Sequence, residues 1–249
     1  MPVSGGYDLY YWPSIQGRGE FVRLALEQAG VAYVDVARQP ESEGGGVRAL
    51  MQCLRQGAAP APFAPPFLRH GELWIAQTAA ILAYLGPRHD LVPADEQSRC
   101  AALQHQLTIM DLVAETHDTH HPIFVGLYYE DQQQEAARRA AHFVGERLPK
   151  FLSYFEHLIE HNPASDRHLV GKHISYPDLS LFQVVAGLRY AFPKIMDRLA
   201  GSFPGIGRLV DVVQEQPRIA AYLSSPRRLP FNEQGIFRHY PELDRAPAS

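Results

Sequence analysis

Cysteines, basic clusters and long apolar runs are all scarce in this chain of 249 residues. A formal net charge of −4, with no arginine run longer than a doublet, argues against the broad basic surface that nucleic-acid binding requires. The two cysteines, Cys53 and Cys100, form neither a CxxC pair nor a zinc-binding spacing. We therefore expect two reduced thiols, which is usual in a cytoplasmic protein.

Signals for export or for a membrane are also missing. No segment approaches the ~18 consecutive apolar residues that a spanning helix needs. The first residues carry neither the basic region nor the apolar stretch of a signal peptide. These absences predict a cytoplasmic protein without a membrane partner, and the 46% hydrophobic content is enough for a sizeable buried core.

Two kinds of pattern divide the chain. Short β-like segments alternate with helical ones over the first third, in the predicted order β-α-β-α-β-β-α, and the second part is almost entirely helical. We predict an α/β domain over 1–86, a linker over 87–94 and an all-α domain over 95–249. Within the second domain the predicted helices cover 95–121, 132–161, 175–192, 206–213 and 219–223. The proline-punctuated stretch 226–249 is expected to wrap the surface.

A clear folding signal lies near the middle of the helical part. Ser175 and Asp178 have the spacing of a capping box, with Pro177 in the first helical turn. Ile174 and Leu179 occupy the positions of a hydrophobic staple. This motif predicts the start of a helix and carries no chemistry.

A tyrosine at the end of the first predicted strand is the first chemical candidate. Strand alternation places Leu9 and Tyr11 on one face of the sheet and Tyr10 on the other. The carboxyl end of a strand faces the crevice where open α/β sheets bind ligands. Taken alone, however, a strand aromatic is usually a core or rim residue.

Two further features lie at the ends of neighbouring elements. A cis bond before Pro66, at the entry to the third strand, would expose backbone groups to an extended peptide, although an ordinary trans proline is more common. Gln77 and Thr78 begin a predicted helix, whose free N–H groups could bind a carboxylate. Thr78 is equally acceptable as a simple N-cap residue.

These features, in this order and spacing, resemble the N-terminal domain of glutathione transferases. The tyrosine-type classes are most similar, because Tyr11-Trp12 resembles the mu class and the Gly17–Glu20 stretch resembles the sigma class. The stretch 171–178 resembles the buried capping motif of the family's helical domain. The resemblance implies a sigma- or mu-like, bacterial-type member with a thioredoxin-like first domain and an all-α second domain. It also implies a C₂ homodimer, in which Phe63 is a candidate for the apolar side chain that inserts into the partner subunit.

The resemblance also implies roles for individual residues. Tyr11 would donate a hydrogen bond to the glutathione thiolate. Tyr10 is the alternative donor, because the loop after Tyr11 is one residue longer than in the mu and sigma classes. Ser14 is the next candidate. Gln77 and Thr78 would hold the γ-glutamyl end. The predicted glutathione contacts are Trp12, Arg18, Arg38, Gln39, Pro65, Pro66, Gln77, Thr78 and, reaching over from the partner subunit, Asp111. Arg38 and Gln39 are the candidates for the glycyl end, and the backbone at Pro65 for the cysteinyl unit.

Three histidines lie within five residues. His117 and His121 have the i, i+4 spacing that can bind zinc on a helix, and His120 lies between them. No HExxH motif or nearby cysteine accompanies them, and Pro122 ends the helix. We therefore expect that these histidines do not bind a metal. They would instead form a polar wall of the electrophile pocket or part of an interface.

Two functions follow from the resemblance. One is conjugation of glutathione to small hydrophobic electrophiles in detoxification, with glutathione as co-substrate. The other is a binding or regulatory protein that keeps the fold without turnover. Tyr11, Gln77 and Thr78 favour the enzyme, whereas the longer loop and the unclear glycyl site favour the alternative. Phe237 and Tyr240, near the carboxyl end, either cover the electrophile pocket or only dock the terminus.

Overall fold

The computed structural model describes residues 6–57 and 60–245. Four strands form one sheet in the order β2-β1-β3-β4. Their bounds are Tyr7–Tyr10 for β1, Tyr33–Asp35 for β2, Phe67–His70 for β3 and Leu73–Ala76 for β4. The β1 and β2 strands are parallel, whereas β3 is antiparallel to both of its neighbours.

Among the described residues of the first part, three α-helices accompany the sheet, and they confirm the predicted order of elements. These are α1 over Gly19–Ala29, α2 over Gly46–Gln52 and α3 over Thr78–Leu85. Gly30 ends α1 in the left-handed conformation, with a φ of 69°, as a glycine after a helix commonly does. Leu9 and Leu68 face the core shared with α1 and α3, whereas Tyr10 and Phe67 face the smaller cluster under α2.

Within the described residues up to 245, seven α-helices form the second part. They are α4 over Glu96–Asp118, α5 over Gln133–His142, α6 over Leu148–Glu160, α7 over Tyr176–Ala191, α8 over Pro193–Leu199, α9 over Pro204–Gln214 and α10 over Pro217–Leu223. The predicted capping box at the start of α7 is confirmed, because Asp178 accepts the Ser175 N–H at 2.8 Å. No helix among the described residues is long and apolar enough to cross a membrane.

The helical part departs from the predicted boundaries in three places. The α4 helix ends at Asp118, where the Thr119 hydroxyl donates to the carbonyl of Thr116 and competes with the helical pattern. The predicted helix 132–161 is interrupted by a wider π-helical segment at Phe143–Arg147, just before Pro149, which has no N–H to donate. Pro193 begins α8, which the prediction omitted.

The described residues after α10, 224–245, form a carboxyl-terminal segment that packs against the helical part, whereas the prediction was that this stretch wraps the surface. Ile236, Phe237 and Leu243 are buried. Phe237 lies directly on Gly187 of α7, where a Cβ atom would approach the ring to 2.3 Å. Phe237 therefore anchors this carboxyl-terminal segment in the core, whereas Tyr240 stacks on Tyr129 with ring centroids 3.7 Å apart.

Candidate active site

The hydroxyl of Tyr11 lies at the amino end of α1. Tyr11 follows β1 directly, is only 5% exposed, and its hydroxyl accepts the backbone N–H of Arg18 at 2.7 Å. Burial raises the pKa of Tyr11, and the hydrogen bond from Arg18 acts in the opposite direction. The phenol is therefore protonated at neutral pH, and the contact with Arg18 leaves its own hydrogen available to an acceptor.

Two glycines allow the loop between β1 and α1 to close tightly over this ring. A Cβ atom on Gly17 would lie 2.0 Å from the Tyr11 hydroxyl oxygen, and one on Gly19 would lie 2.5 Å from the ring. Gly17 also has a φ of +46°, in the region that favours glycine. The longer loop thus keeps the Tyr11 hydroxyl at the helix start rather than displacing it.

Tyr10 lies on the opposite face of the sheet, as alternation predicts. Its ring stacks on Phe67, with centroids 4.7 Å apart and an interplanar angle of 12°, and lies 5.6 Å from Trp74. Burial, with Cys53 beside it, raises the pKa of Tyr10. Trp12 packs against this same cluster. The two tyrosines therefore belong to different environments, and only Tyr11 contacts the α1 terminus.

Ser14 is exposed in the loop that follows Trp12. Its backbone carbonyl accepts the side-chain amide of Asn232 at 3.0 Å. This bond links the loop to the carboxyl-terminal segment without involving the Ser14 hydroxyl.

The strand register brings the other predicted features to the same sheet edge. Tyr10 is opposite Phe67 in β3, and Phe67 is opposite Ala76 in β4. The carboxyl ends of β1 and β4 and the entry to β3 therefore lie side by side. Tyr11, Pro66 and Gln77 each sit one residue beyond those positions, so the sheet gathers them along one edge.

The bond between Pro65 and Pro66 is cis, as the resemblance predicts. Pro66 is buried and Pro65 is half-buried. At the start of α3, Gln77 is exposed and has a φ of 70°, which is rare for a residue other than glycine. Thr78 is only 3% exposed, and its hydroxyl has no hydrogen-bond partner within the described part of the chain. A buried hydroxyl of this kind calls for an explanation such as a ligand.

Of the remaining predicted contacts, Arg38 is engaged elsewhere, and Gln39 and Asp111 are exposed. Arg38 donates to the carbonyl of Arg227 at 2.7 Å and lies 3.8 Å from Asp35. Gln39 is exposed in the loop after β2. Asp111 is exposed on α4. The structure therefore groups Tyr11, Arg18 and the start of α3, and it directs Arg38 towards the carboxyl-terminal segment.

A buried charge network next to the Tyr11 loop was not predicted. Arg23 of α1 bonds Asp35 at 2.7 Å and Glu20 at 3.1 Å, with both of its ion-pair partners nearly inaccessible to solvent. Burial alone would lower the pKa of Arg23, but Asp35 and Glu20 raise it. Arg228 donates to Glu20 at 2.5 Å, and Tyr222 donates to the same carboxylate at 2.7 Å. Buried charges are tolerated because each has a partner.

Amide side chains extend this network to the loop itself. Gln183 of α7 donates to Gln16 at 2.7 Å, and Gln16 in turn donates to the carbonyl of Leu229 at 2.5 Å. Arg228 also donates to Gln183 at 2.8 Å. The loop after Tyr11 is thus fixed from both sides, by α7 and by the carboxyl-terminal segment. Gln16 lies more than 150 residues from both of its partners in sequence, so no local motif signals these bonds.

Comparisons with known proteins agree with this arrangement. A family model described as the glutathione S-transferase C-terminal domain matches residues 117–226. The chain is 27% identical to glutathione S-transferase P of Bos taurus, over 92% of this chain and 98% of the relative. It is 28% identical to glutathione S-transferase P of Capra hircus, again over 92% and 98%.

Solved structures share the fold over nearly the whole chain. A pi-class glutathione S-transferase of Onchocerca volvulus superposes with a TM-score of 0.70 at 22% identity, covering 94% of this chain and 99% of that one. Prostaglandin synthase D of Nilaparvata lugens gives 0.68 at 20% identity, covering 90% and 100%. These likenesses confirm the predicted thioredoxin-like sheet with an all-α second part. The family model and the curated relatives together show that this chain is similar to glutathione S-transferases in both of its parts.

Proposed function

We propose that this chain conjugates the thiolate of glutathione to small hydrophobic electrophiles, with glutathione as co-substrate. The observation that carries the proposal is the position of the Tyr11 hydroxyl, hydrogen-bonded to Arg18 N–H at the amino end of α1. A thiolate placed beside this hydroxyl would receive a hydrogen bond and lie near the positive end of the helix dipole. Both interactions favour the anion over the thiol.

The magnitudes are sufficient for catalysis at neutral pH. A free cysteine thiol has a pKa of about 8.5, so only a few per cent is ionised at pH 7. Lowering that pKa by about two units needs ~2.7 kcal/mol of preference for the anion. One hydrogen bond to a charged group contributes roughly 1.5–3 kcal/mol, and a helix terminus adds about 0.3–1 kcal/mol. Tyr11 therefore acts as a donor to the thiolate rather than as a base.

The γ-glutamyl end of glutathione is assigned to Gln77 and Thr78. The unpartnered hydroxyl of Thr78 and the free N–H groups of α3 offer donors to its carboxylate. The backbone at Pro65 is assigned to the cysteinyl unit, since this segment leads into β3 beside Tyr11.

The remaining glutathione contacts are assigned as follows. Trp12 and Arg18 are assigned as contacts at the two ends of the loop that follows Tyr11. The glycyl carboxylate is assigned to Arg38 and Gln39, and Arg38 must then release the carbonyl of Arg227 that it binds in this structure. Asp111 is assigned to the γ-glutamyl amine of the ligand in a partner subunit.

We propose a C₂ homodimer as the working unit. Phe63 is 93% exposed in the loop before β3, an unusual position for a large apolar side chain. Leu103 and Leu107 are exposed on α4, and with Asp111 they follow one another at intervals of four along a single helical face. A partner covering these leucines would bring its own ligand near Asp111. Light scattering at micromolar concentration tests this, and a monomeric mass would refute it.

The placement of the chain within its family and cell is also a proposal. We place it in the tyrosine-type group on the basis of Tyr11. The Tyr11-Trp12 pair favours a mu-like class and Gly17–Glu20 a sigma-like class of bacterial type, whereas the relatives quoted above are animal proteins named P or pi. We further propose a domain boundary within 87–94 and a cytoplasmic location.

Two assays together test the proposed function. Retention on a glutathione-affinity column and conjugation of a general aryl halide are both expected. Retention on the column without conjugation would favour the alternative function, that of a non-catalytic glutathione-binding or regulatory protein. Failure of both would refute the assignment of the site.

A further inference from the structure

The three histidines at the end of α4 meet in space. Each of His117, His120 and His121 offers a ring nitrogen, and these atoms all lie within 4.8 Å of one another. The ring centroids are 4.7 to 5.2 Å apart. The meeting follows from the early end of α4, because the turn through Thr119 carries the last two rings back over the first.

The ring of His120 is already oriented by a backbone carbonyl. His120 is 1% exposed, and its Nε2–H donates to the carbonyl of Ile236 at 2.8 Å. That bond leaves Nδ1 with a lone pair, and Nδ1 faces Nδ1 of His121 at 2.5 Å. Histidines that bind a metal usually donate their other ring nitrogen to a carbonyl or a carboxylate in this way.

The ring of His117 has a carboxylate nearby. Its Nδ1 lies 3.6 Å from a carboxylate oxygen of Asp118, beyond hydrogen-bond distance in this structure. A neutral His117 that rotates to direct Nδ1–H towards Asp118 presents Nε2 as its ligand atom. One of the three rings, His120, thus already has a partner of the kind that selects the metal-binding nitrogen, and Asp118 is positioned to serve His117.

We propose that His117, His120 and His121 bind one divalent d-block cation, with zinc as the best fit, and leave a fourth position open. Imidazole suits zinc, copper and nickel, and three protein nitrogens with an open position are a common zinc arrangement. Nitrogens that are each about 2.1 Å from one ion in tetrahedral geometry lie roughly 3.4 Å apart. The ring nitrogens of the cluster lie within 4.8 Å of one another. The two Nδ1 atoms of His120 and His121 are hydrogen-bonded at 2.5 Å, so the rings must rotate apart to admit an ion. The proposal does not depend on the transferase activity.

Charged neighbours partly offset one another around the cluster. Burial lowers the pKa of all three imidazoles, and the positive charge of Arg238 lowers it further and would also repel a bound cation. The carboxylate of Asp118 raises the pKa of His117 and His121, that of Glu130 raises the pKa of His121, and both would attract a cation. A bound ion would tie the end of α4 to the carboxyl-terminal segment through His120 and the Ile236 carbonyl.

Metal titration of the full-length chain tests the proposal. Protein stripped with a chelator is titrated with Zn²⁺ by calorimetry, and with Co²⁺ by visible absorption. We expect one equivalent per chain and the intense visible bands of four-coordinate cobalt. His117→Asn and His121→Asn should each weaken binding by at least about tenfold, since even the loss of a metal ligand's hydrogen-bond partner costs 10- to 100-fold. His120 is left intact because its bond to Ile236 supports the fold.

A second histidine pair provides the matched control. His157 lies on α6 and His161 directly follows that helix, with ring centroids 3.9 Å apart, and no third histidine is grouped with them in the described part of the chain. The His157→Asn/His161→Asn double variant should bind as the unaltered chain does. The proposal is overturned by an absence of saturable binding, by binding that survives both His117→Asn and His121→Asn in variants with unchanged circular dichroism, or by binding lost only in the control.

Discussion

Replacing Tyr11 with phenylalanine keeps the ring that packs against Gly19 but removes the hydroxyl at the start of α1. The thiolate then loses roughly 1.5–3 kcal/mol of stabilisation, so conjugation at neutral pH should fall about 10- to 100-fold. Glutathione affinity should change little, because the contacts assigned to Gln77, Thr78 and Pro65 remain. The variant also leaves Arg18 N–H without its acceptor, so its free energy of unfolding should fall by about 1 kcal/mol.

Steady-state conjugation of an aryl halide gives the rate, and calorimetry gives the affinity for glutathione. Tyr10→Phe is the control, because its ring stacks on Phe67 on the opposite face of the sheet. The reasoning fails if Tyr10→Phe is damaging and Tyr11→Phe is silent, since the assigned register would then be wrong. If neither change matters, tyrosine does not activate the thiol, and the exposed Ser14 becomes the next residue to test.

Four further predictions follow from the same geometry. Gln77→Gly should raise the free energy of unfolding, measured by urea titration, by about 1 kcal/mol, because glycine tolerates the positive φ. Both Gln77→Gly and Gln77→Ala should weaken glutathione binding. Gly17→Ala should lower the conjugation rate, since the new Cβ would collide with the Tyr11 hydroxyl. The free energy of unfolding should stay the same or fall, and an unchanged conjugation rate would contradict the prediction. Asp178→Ala should destabilise the fold by roughly 3 kcal/mol, because two backbone N–H groups lose their acceptor, and thermal unfolding measures it. The conjugation rate should rise with pH through the lowered thiol pKa and then stay level to pH ~10, because burial raises the pKa of Tyr11 and keeps it protonated; a fall in rate below that pH would count against a tyrosine donor.

Local signals were enough to predict the first part of the fold. The change from strand to helical periodicity, with Gly30 at the end of α1, predicted the element order that the structure has. The capping box at Ser175 and Asp178 predicted the start of α7. Alternation along β1 separated Tyr10 from Tyr11, because neighbouring strand residues face opposite sides of a sheet. Each of these signals lies within a few residues of the feature that it determines.

Features that depend on distant partners could not be predicted in this way. Arg228 reaches Glu20 across more than 200 residues, and no motif links the two residues. Arg38 was assigned to glutathione, but its guanidinium binds the carbonyl of Arg227 in the folded chain. The meeting of three histidines depends on where α4 ends, which the bond from the Thr119 hydroxyl to the Thr116 carbonyl helps to decide and the apolar periodicity does not.

The pKa of the glutathione thiol bound to the unaltered chain tests the central claim most directly. Thiolate absorbance is recorded across a pH series with saturating glutathione, and the same series with free glutathione gives the reference. An activated thiol should titrate about two units below the free value of about 8.5, and the shift should largely disappear in Tyr11→Phe. A bound thiol that titrates at its free value in the unaltered chain would contradict the proposed mechanism.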